Sequence, residues 1–213
     1  MNATLAAEKL TLYDLEKSFN LTLCDRPDFF PEWHIDPLLI SRSVSAKEKE
    51  QLDRIKTNYI HLSKRPMLEE MVKMVVLSPL LDIAGFYQPP FYAVAEKSVQ
   101  LSVKDENLTI RGKIDVLVLQ DRFWILVIES KQIGVSIQKG IPQALAYMLA
   151  NPRSDKDLYG MVTNGSNFIF LKLARQDQNK PIYGISDEYT LMRHENDLYK
   201  ILQILKAIGK AII

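Results

Sequence analysis

Two carboxylates and a lysine sit where apolar residues dominate. Glu129 and Lys131 close the run "WILVIESKQ", and Asp115 lies fourteen residues before Glu129 inside "KIDVLVL". Side chains two apart on a strand share a face, so Glu129 and Lys131 point the same way, with Ile125 and Val127 on that face and Trp124, Leu126 and Ile128 on the other. A strand without a polar face is normally covered on both sides. Charge there is costly unless it is paired, solvated at the strand's mouth or holding a metal. If Asp115 and Glu129 occupy neighbouring strands where these diverge, their carboxylates converge. Such hard oxygen ligands suit Mg²⁺ or Mn²⁺, which keep waters and leave room for a phosphate oxygen and an attacking water. Lys131 beside the cation would orient that water or offset charge building on phosphorus. Glu129-Ser130-Lys131 is the one acid-x-Lys triplet in the chain. These residues alone leave a second reading open, a strand-end ion pair facing solvent with Asp115 in a loop.

Around these residues the pattern predicts the elements that hold them. "LTLYDLEKSF" has helical periodicity, "CDRPDFFPEWHIDP" reads as an irregular arm packed on the body, and "SAKEKEQLDRIKTNYIHL" reads as a helix capped by Ser45 with Leu52, Ile55, Tyr59 and Leu62 on one face. The next helix, "RPMLEEMVKMVVLSPLLDIAGF", has Pro66 near its start, a stripe of Leu68, Met71, Val72, Val75 and Val76, and Gly85 at its end. Alternation then gives three strands, "FYAVAEKSVQLSV", "NLTIRGKIDVLVL" and "RFWILVIESK", the last two joined tightly enough for an antiparallel hairpin. A helix around "PQALAYMLAN", two strands about Asn164-Gly165, an edge strand at "PIYGIS" and a closing amphipathic helix complete the chain. The expected fold is α/β, a mixed central sheet flanked by helices on both faces. Residues 1–65 form a helical N-terminal extension packed on a core of residues 66–213.

The chain has 213 residues, 47% hydrophobic and 25% charged, with a formal net charge of +1, so a nucleic-acid partner would have to be held by a local basic groove. The opening residues lack a signal peptide's basic start and apolar core, and no apolar run is long enough to span a membrane. The single cysteine, Cys24, points to a reducing cytoplasm. His34, His61 and His194 lack zinc-ligand spacing.

The next helix adds Gln143 and Tyr147, four apart on one face. Asp115, Glu129-Ser130-Lys131 and Gln143-x-x-x-Tyr147, in that order, resemble the PD-(D/E)xK nuclease superfamily in its Gln-x-x-x-Tyr-bearing, RecB-like branch, which includes the nuclease domain of type I restriction enzyme R subunits. Glu69, Lys73, Pro79, Leu81, Gly85 and Phe86 are similar to the restriction-subunit pattern Glu-x-x-Thr-Arg followed by Pro-x-Leu-x-x-x-Gly-Trp. Val72 stands for its Thr, Lys73 for its Arg, and Ile114 for the leading Pro. The resemblance spans roughly residues 66–173, in the order of motifs. It implies a restriction-endonuclease-like fold and a Mg²⁺-dependent (or Mn²⁺-dependent) deoxyribonuclease. Asp115, Glu129 and the Ser130 carbonyl would bind metal. Lys131 would be the catalytic lysine, and Glu69 would sit near the metal water. Gln143, Tyr147 and Lys73 would orient the site or touch the DNA backbone. Arg111, Lys113 and Lys139 are further candidate phosphate contacts, each with a solvated-face reading beside it. No Gly-x-x-x-x-Gly-Lys-Thr loop is present, so a motor or specificity subunit would be another chain, and a homodimer is an alternative. The other function class is a non-catalytic nucleic-acid or protein-binding module on the same scaffold.

Overall fold

The computed structural model describes residues 3–31, 43–103, 108–121, 123–151, 156–176 and 180–211. Nine strands among these residues join in one mixed sheet of order β1-β4-β5-β6-β7-β8-β2, with β3 beside β4 and β9 beside β7. They are β1 (Ala3–Ala6), β2 (Thr22–Leu23), β3 (Phe91–Val103), β4 (Leu108–Gln120), β5 (Phe123–Ser130), β6 (Leu158–Thr163), β7 (Asn167–Gln176), β8 (Lys180–Ile185) and β9 (Tyr189–Thr190). The helices are α1 (Leu12–Phe19), α2 (Ala46–Leu62), α3 (Glu69–Val72), α4 (Ser78–Ile83), α5 (Gly140–Leu149) and α6 (Leu198–Lys210). The mixed α/β architecture with helices on both faces is as expected.

Two apolar cores lie on opposite faces of the sheet. Residues of α2, α4 and α6 pack with Val118, Leu126, Ile128, Met161, Phe168 and Phe170. Residues of α1 and α5 pack with Leu117, Val127, Val162, Ile169 and Leu171. Strands β5 and β6 are therefore covered twice, which is why they read as continuous apolar runs.

Several local signals act as expected. Ser45 caps α2, in a reciprocal box with Glu48; Thr11, which was not expected as a cap, does the same for α1 with Asp14. Gln120 pairs with Phe123 across the β4–β5 turn, and Gly85, at φ 88°, follows α4. Phe29 and Phe30 of the arm are buried, whereas residues 32–37 of it lie outside the described residues.

Other expectations are corrected. The N-terminal segment is not only helical, because β1 pairs in parallel with β4 and β2 with β8, at opposite ends of the sheet. Strand β8 is not an edge, since it lies between β7 and β2. Helix α3 begins at Glu69, three residues after Pro66, so Leu68 and Met71 are exposed and the buried stripe is Val72, Val76, Leu77, Leu80 and Leu81. Between α3 and α4 the chain makes a π-helical turn, Lys73–Leu77, in which the Ser78 N–H bonds the Lys73 carbonyl. Pro79 explains it, because its ring would meet the Val75 carbonyl in a regular α-helix. Leu62, expected on the buried face of α2, is exposed.

Candidate active site

Strand irregularities aim the acids. The β4–β5 ladder shifts register between Val118 and Leu119, so Ile125 joins Leu126 and Ile128 in one core while Trp124 packs with Val127 in the other. Ile125 is thus not on the Glu129 face. An extra residue in one strand of a pair reverses the alternation beyond it. A second break falls at Asp115. Ile114 and Leu117 belong to the same core although three residues apart, and on β3 the opposing Glu96 takes φ 56°. Neither Glu96 nor Asp115 pairs in the β3–β4 register, which skips from Lys97–Ile114 to Ala95–Val116.

The β4–β5 register ends at Val116–Ile128, and Asp115 lies just past it. Its Oδ2 accepts the Ser130 N–H at 2.6 Å, so a side chain replaces the ladder where the strands part. Its Oδ1 accepts from Lys73 Nζ at 2.8 Å. That ammonium also lies 2.8 Å from Glu69 Oε1 and 3.6 Å from Glu96 Oε1, and Lys113 Nζ reaches Glu96 Oε2 at 3.1 Å. Burial opposes the charge on Lys73, but its bonds to Asp115 and Glu69 outweigh this and raise its pKa. Of the two acids that begin α3, Glu69 is the one that faces the cluster, whereas Glu70 is exposed.

From the opposite layer, α5 supports Lys131. Lys131 Nζ donates to Glu129 Oε1 at 2.7 Å and to Gln143 Oε1 at 2.8 Å. Gln143 Nε2 donates to the Tyr147 hydroxyl at 2.8 Å, which also accepts the Lys113 N–H at 3.2 Å. Gln143 and Tyr147 are buried, so they hold the lysine in place, and contact with a DNA backbone would require them to move. Lys73, too, is engaged by carboxylates rather than presented to a ligand. Burial pushes Tyr147 up to about 12, leaving it a neutral phenol. Helix α5 begins at Gly140 after a 3₁₀ turn at Ile137–Lys139, which places Pro142 in its first turn and unkinked.

Two glycines make this approach possible. A Cβ on Gly140 would lie 2.6 Å from Val162 Cγ1 and 3.4 Å from Lys131 Cε. A Cβ on Gly112 would lie 2.5 Å from Tyr147 Cε1 and 2.6 Å from its hydroxyl. The sequence suggests Gly140 only as part of a mobile loop near the substrate entrance, and it marks neither Gly112 nor Glu96 as a site residue. A glycine inside the alternating run of β4 was the available signal, since it marks a close approach; Glu96 carried none beyond that of a solvated face. Gly112→Ala is expected to displace the Tyr147 ring, at about 1–3 kcal/mol of overpacking. It should slow any Lys131-dependent reaction by about tenfold through misplacement. Thermal melts and turnover of the variant check both.

The hollow is not sealed, since the side chains of Asp115, Lys131 and Glu69 retain 13%, 19% and 33% exposure. Glu129 is the deepest group, and burial, followed by the charge of Asp115, pushes its pKa up to about 8. Its Oε2 is buried without a hydrogen-bond partner. Four carboxylates (Glu69, Glu96, Asp115, Glu129) face three ammonium groups (Lys73, Lys113, Lys131). A buried Glu129 oxygen without a partner, close to the Asp115 carboxylate, fits a hard cation bound by Glu129 Oε2 and Asp115 in place of the Glu129 proton. Among the described residues no cluster of three or more His, Cys, Asp or Glu side chains forms a ready metal cage, but Mg²⁺ needs only one or two carboxylates and keeps its waters. Among the described residues no helix is long and apolar enough to cross a membrane.

No family model matches the sequence, and no curated protein matches it. Among solved structures, the chain is similar to a fragment assigned as an HsdR subunit of a type I restriction enzyme from Vibrio vulnificus YJ016. The TM-score is 0.41 and the identity 16%, over 68% of this chain and 26% of the other.

Proposed function

We propose that this chain is a metal-dependent endonuclease that hydrolyses DNA phosphodiester bonds. The observation that carries the reading is the meeting of Asp115, Glu129 and Lys131 at the open end of the β4–β5 ladder, with one buried Glu129 oxygen left without a partner. Asp115 and Glu129, with the Ser130 carbonyl, would hold Mg²⁺ or Mn²⁺. Bound there, the cation supplies Lewis acidity toward a phosphoryl oxygen and a lowered pKa for its water. Lys131 uses two of its three donors on Glu129 and Gln143 and keeps the third for the attacking water or the charge growing on phosphorus. Gln143 and Tyr147 fix that ammonium, and Glu69 with Lys73 fixes Asp115. Motor or specificity functions would come from other chains, and a second copy is the alternative partner.

A second reading has an observation in its favour. Lys73 and Lys131 already pair with Asp115 and Glu129, as a purely structural ion network on a binding module would. Incubation with supercoiled and linear DNA in Mg²⁺, Mn²⁺ or EDTA separates the two. Cleavage that needs metal and Asp115 is expected; binding without cutting, unmoved by Asp115→Asn, selects the module.

A further inference from the structure

Strands β1, β4 and β3 form a ribbon leading away from the acidic hollow. Its two faces differ in kind. One carries Leu5, Ile110, Val99 and Leu101, which pack on the core beneath α5. The other carries Ser98 opposite Lys113, Gln100 opposite Arg111, and Thr4 and Ala6 on the third strand. All six are exposed. Antiparallel sheets often leave a face to solvent, but soluble surfaces normally intersperse both signs of charge. Residues 98–103 and 108–113 contain Arg111 and Lys113 and no acid. The rest of the face, Thr4, Ala6, Ser98 and Gln100, is uncharged and without bulky apolar groups, so a flat partner backbone can approach closely.

The face is continuous with the hollow. Lys113 pairs with Glu96, Glu96 with Lys73, and Lys73 with Asp115. Both partners of the Lys113–Glu96 pair are more than half exposed (56% and 54%), so it is weakly held and a phosphate can displace it. Arg111 has no ion-pair partner among the described residues. Two residues apart on one strand face, the two side chains spring from backbone positions about 7 Å apart, a step that matches successive phosphates along a strand.

We propose that this ribbon face is the docking track for the phosphodiester backbone of a nucleic-acid strand running into the Asp115–Glu129 hollow. The inference rests on the hydrolytic reading for what happens at the hollow, but the contact itself is electrostatic and needs no metal.

Fluorescence anisotropy with a labelled short DNA duplex and a single strand, in EDTA and over a range of salt, tests it. Arg111→Ala is expected to weaken binding about tenfold and to lower the slope of log Kd against log salt by about one. Gln100→Lys, which adds a charge to the same exposed face, is expected to do the reverse. Lys180→Ala, at the start of β8, serves as the distant control and should leave both unchanged. Wild-type affinity and slope in Arg111→Ala and Gln100→Lys together would overturn the track. So would a loss seen only with phosphatidylserine vesicles, which would assign the face to a membrane. Manganese-dependent hydrolysis of bis(p-nitrophenyl) phosphate, read in parallel, needs no track. If it persists while Arg111→Ala binds DNA normally, the track alone fails. If it is absent from the wild type while the two substitutions move DNA affinity in opposite directions, the hydrolytic reading alone fails.

Discussion

Lys131→Met is expected to lower DNA cleavage by a factor of about 10²–10⁴ while leaving the melting profile cooperative. The ammonium serves two purposes. It compensates Glu129, which is buried and otherwise short of partners, and it offers its remaining proton to the hollow. Removing it deprives Glu129 of its partner and, on the proposed reading, would deprive a reacting oxygen of its donor. Lys131→Arg should not restore activity. Its side chain is wedged beside the Gly140 backbone and aimed by Gln143, and a planar guanidinium needs a wider slot. Gln143→Leu should lose less, because it releases the lysine without removing it. Rate constants for plasmid nicking at saturating Mg²⁺ decide the matter. A Lys131→Met rate within about threefold of wild type would end the hydrolytic assignment, since a lost transition-state donor costs far more.

Divalent-ion affinity is expected to climb about tenfold per pH unit from pH 6 to about 8 and then level, because the cation competes with a proton on Glu129, whose pKa burial pushes up to about 8. The stability of the metal-free protein should run the other way. Glu129 ionises near its ordinary value of 4.5 when unfolded and near 8 when folded, so between these values the folded state binds more protons. Its contribution is therefore full below about pH 4.5 and is lost as pH rises through 8. Glu129→Gln should flatten both profiles, and added Mn²⁺ should restore the stability of the wild type alone. Calorimetric Mn²⁺ titrations at pH 6, 7 and 8, with melts of the metal-free protein over the same range, are the measurements. A pH-independent affinity would mean that Glu129 is not a ligand.

Local chemistry decided a good part of this molecule. The Ser45 cap, the tight β4–β5 turn, the long helices and the doubly covered β5 were legible because each depends on residues within a few positions of one another or on a simple period. The candidate residues Asp115, Glu129, Lys131, Gln143 and Tyr147 were legible too, and they do meet. How they meet was not. The Asp115 carboxylate is gripped by Lys73, forty-two positions away, and the Tyr147 hydroxyl by a backbone N–H thirty-four positions earlier. Periodicity carries no information on such contacts. The reversal at Ile125 and the break at Asp115 and Glu96 also escaped, because an irregular residue in a strand looks like any other until its partner strand fixes the register. Strands β1 and β2, four and two residues long, have too few residues to show alternation and exist only because β4 and β8 offer them an edge. Sequence alone thus specified which groups are available for chemistry; packing of two helical layers against a sheet that opens at Asp115 decided their geometry, since carboxylates converge only where the ladder between their strands has ended.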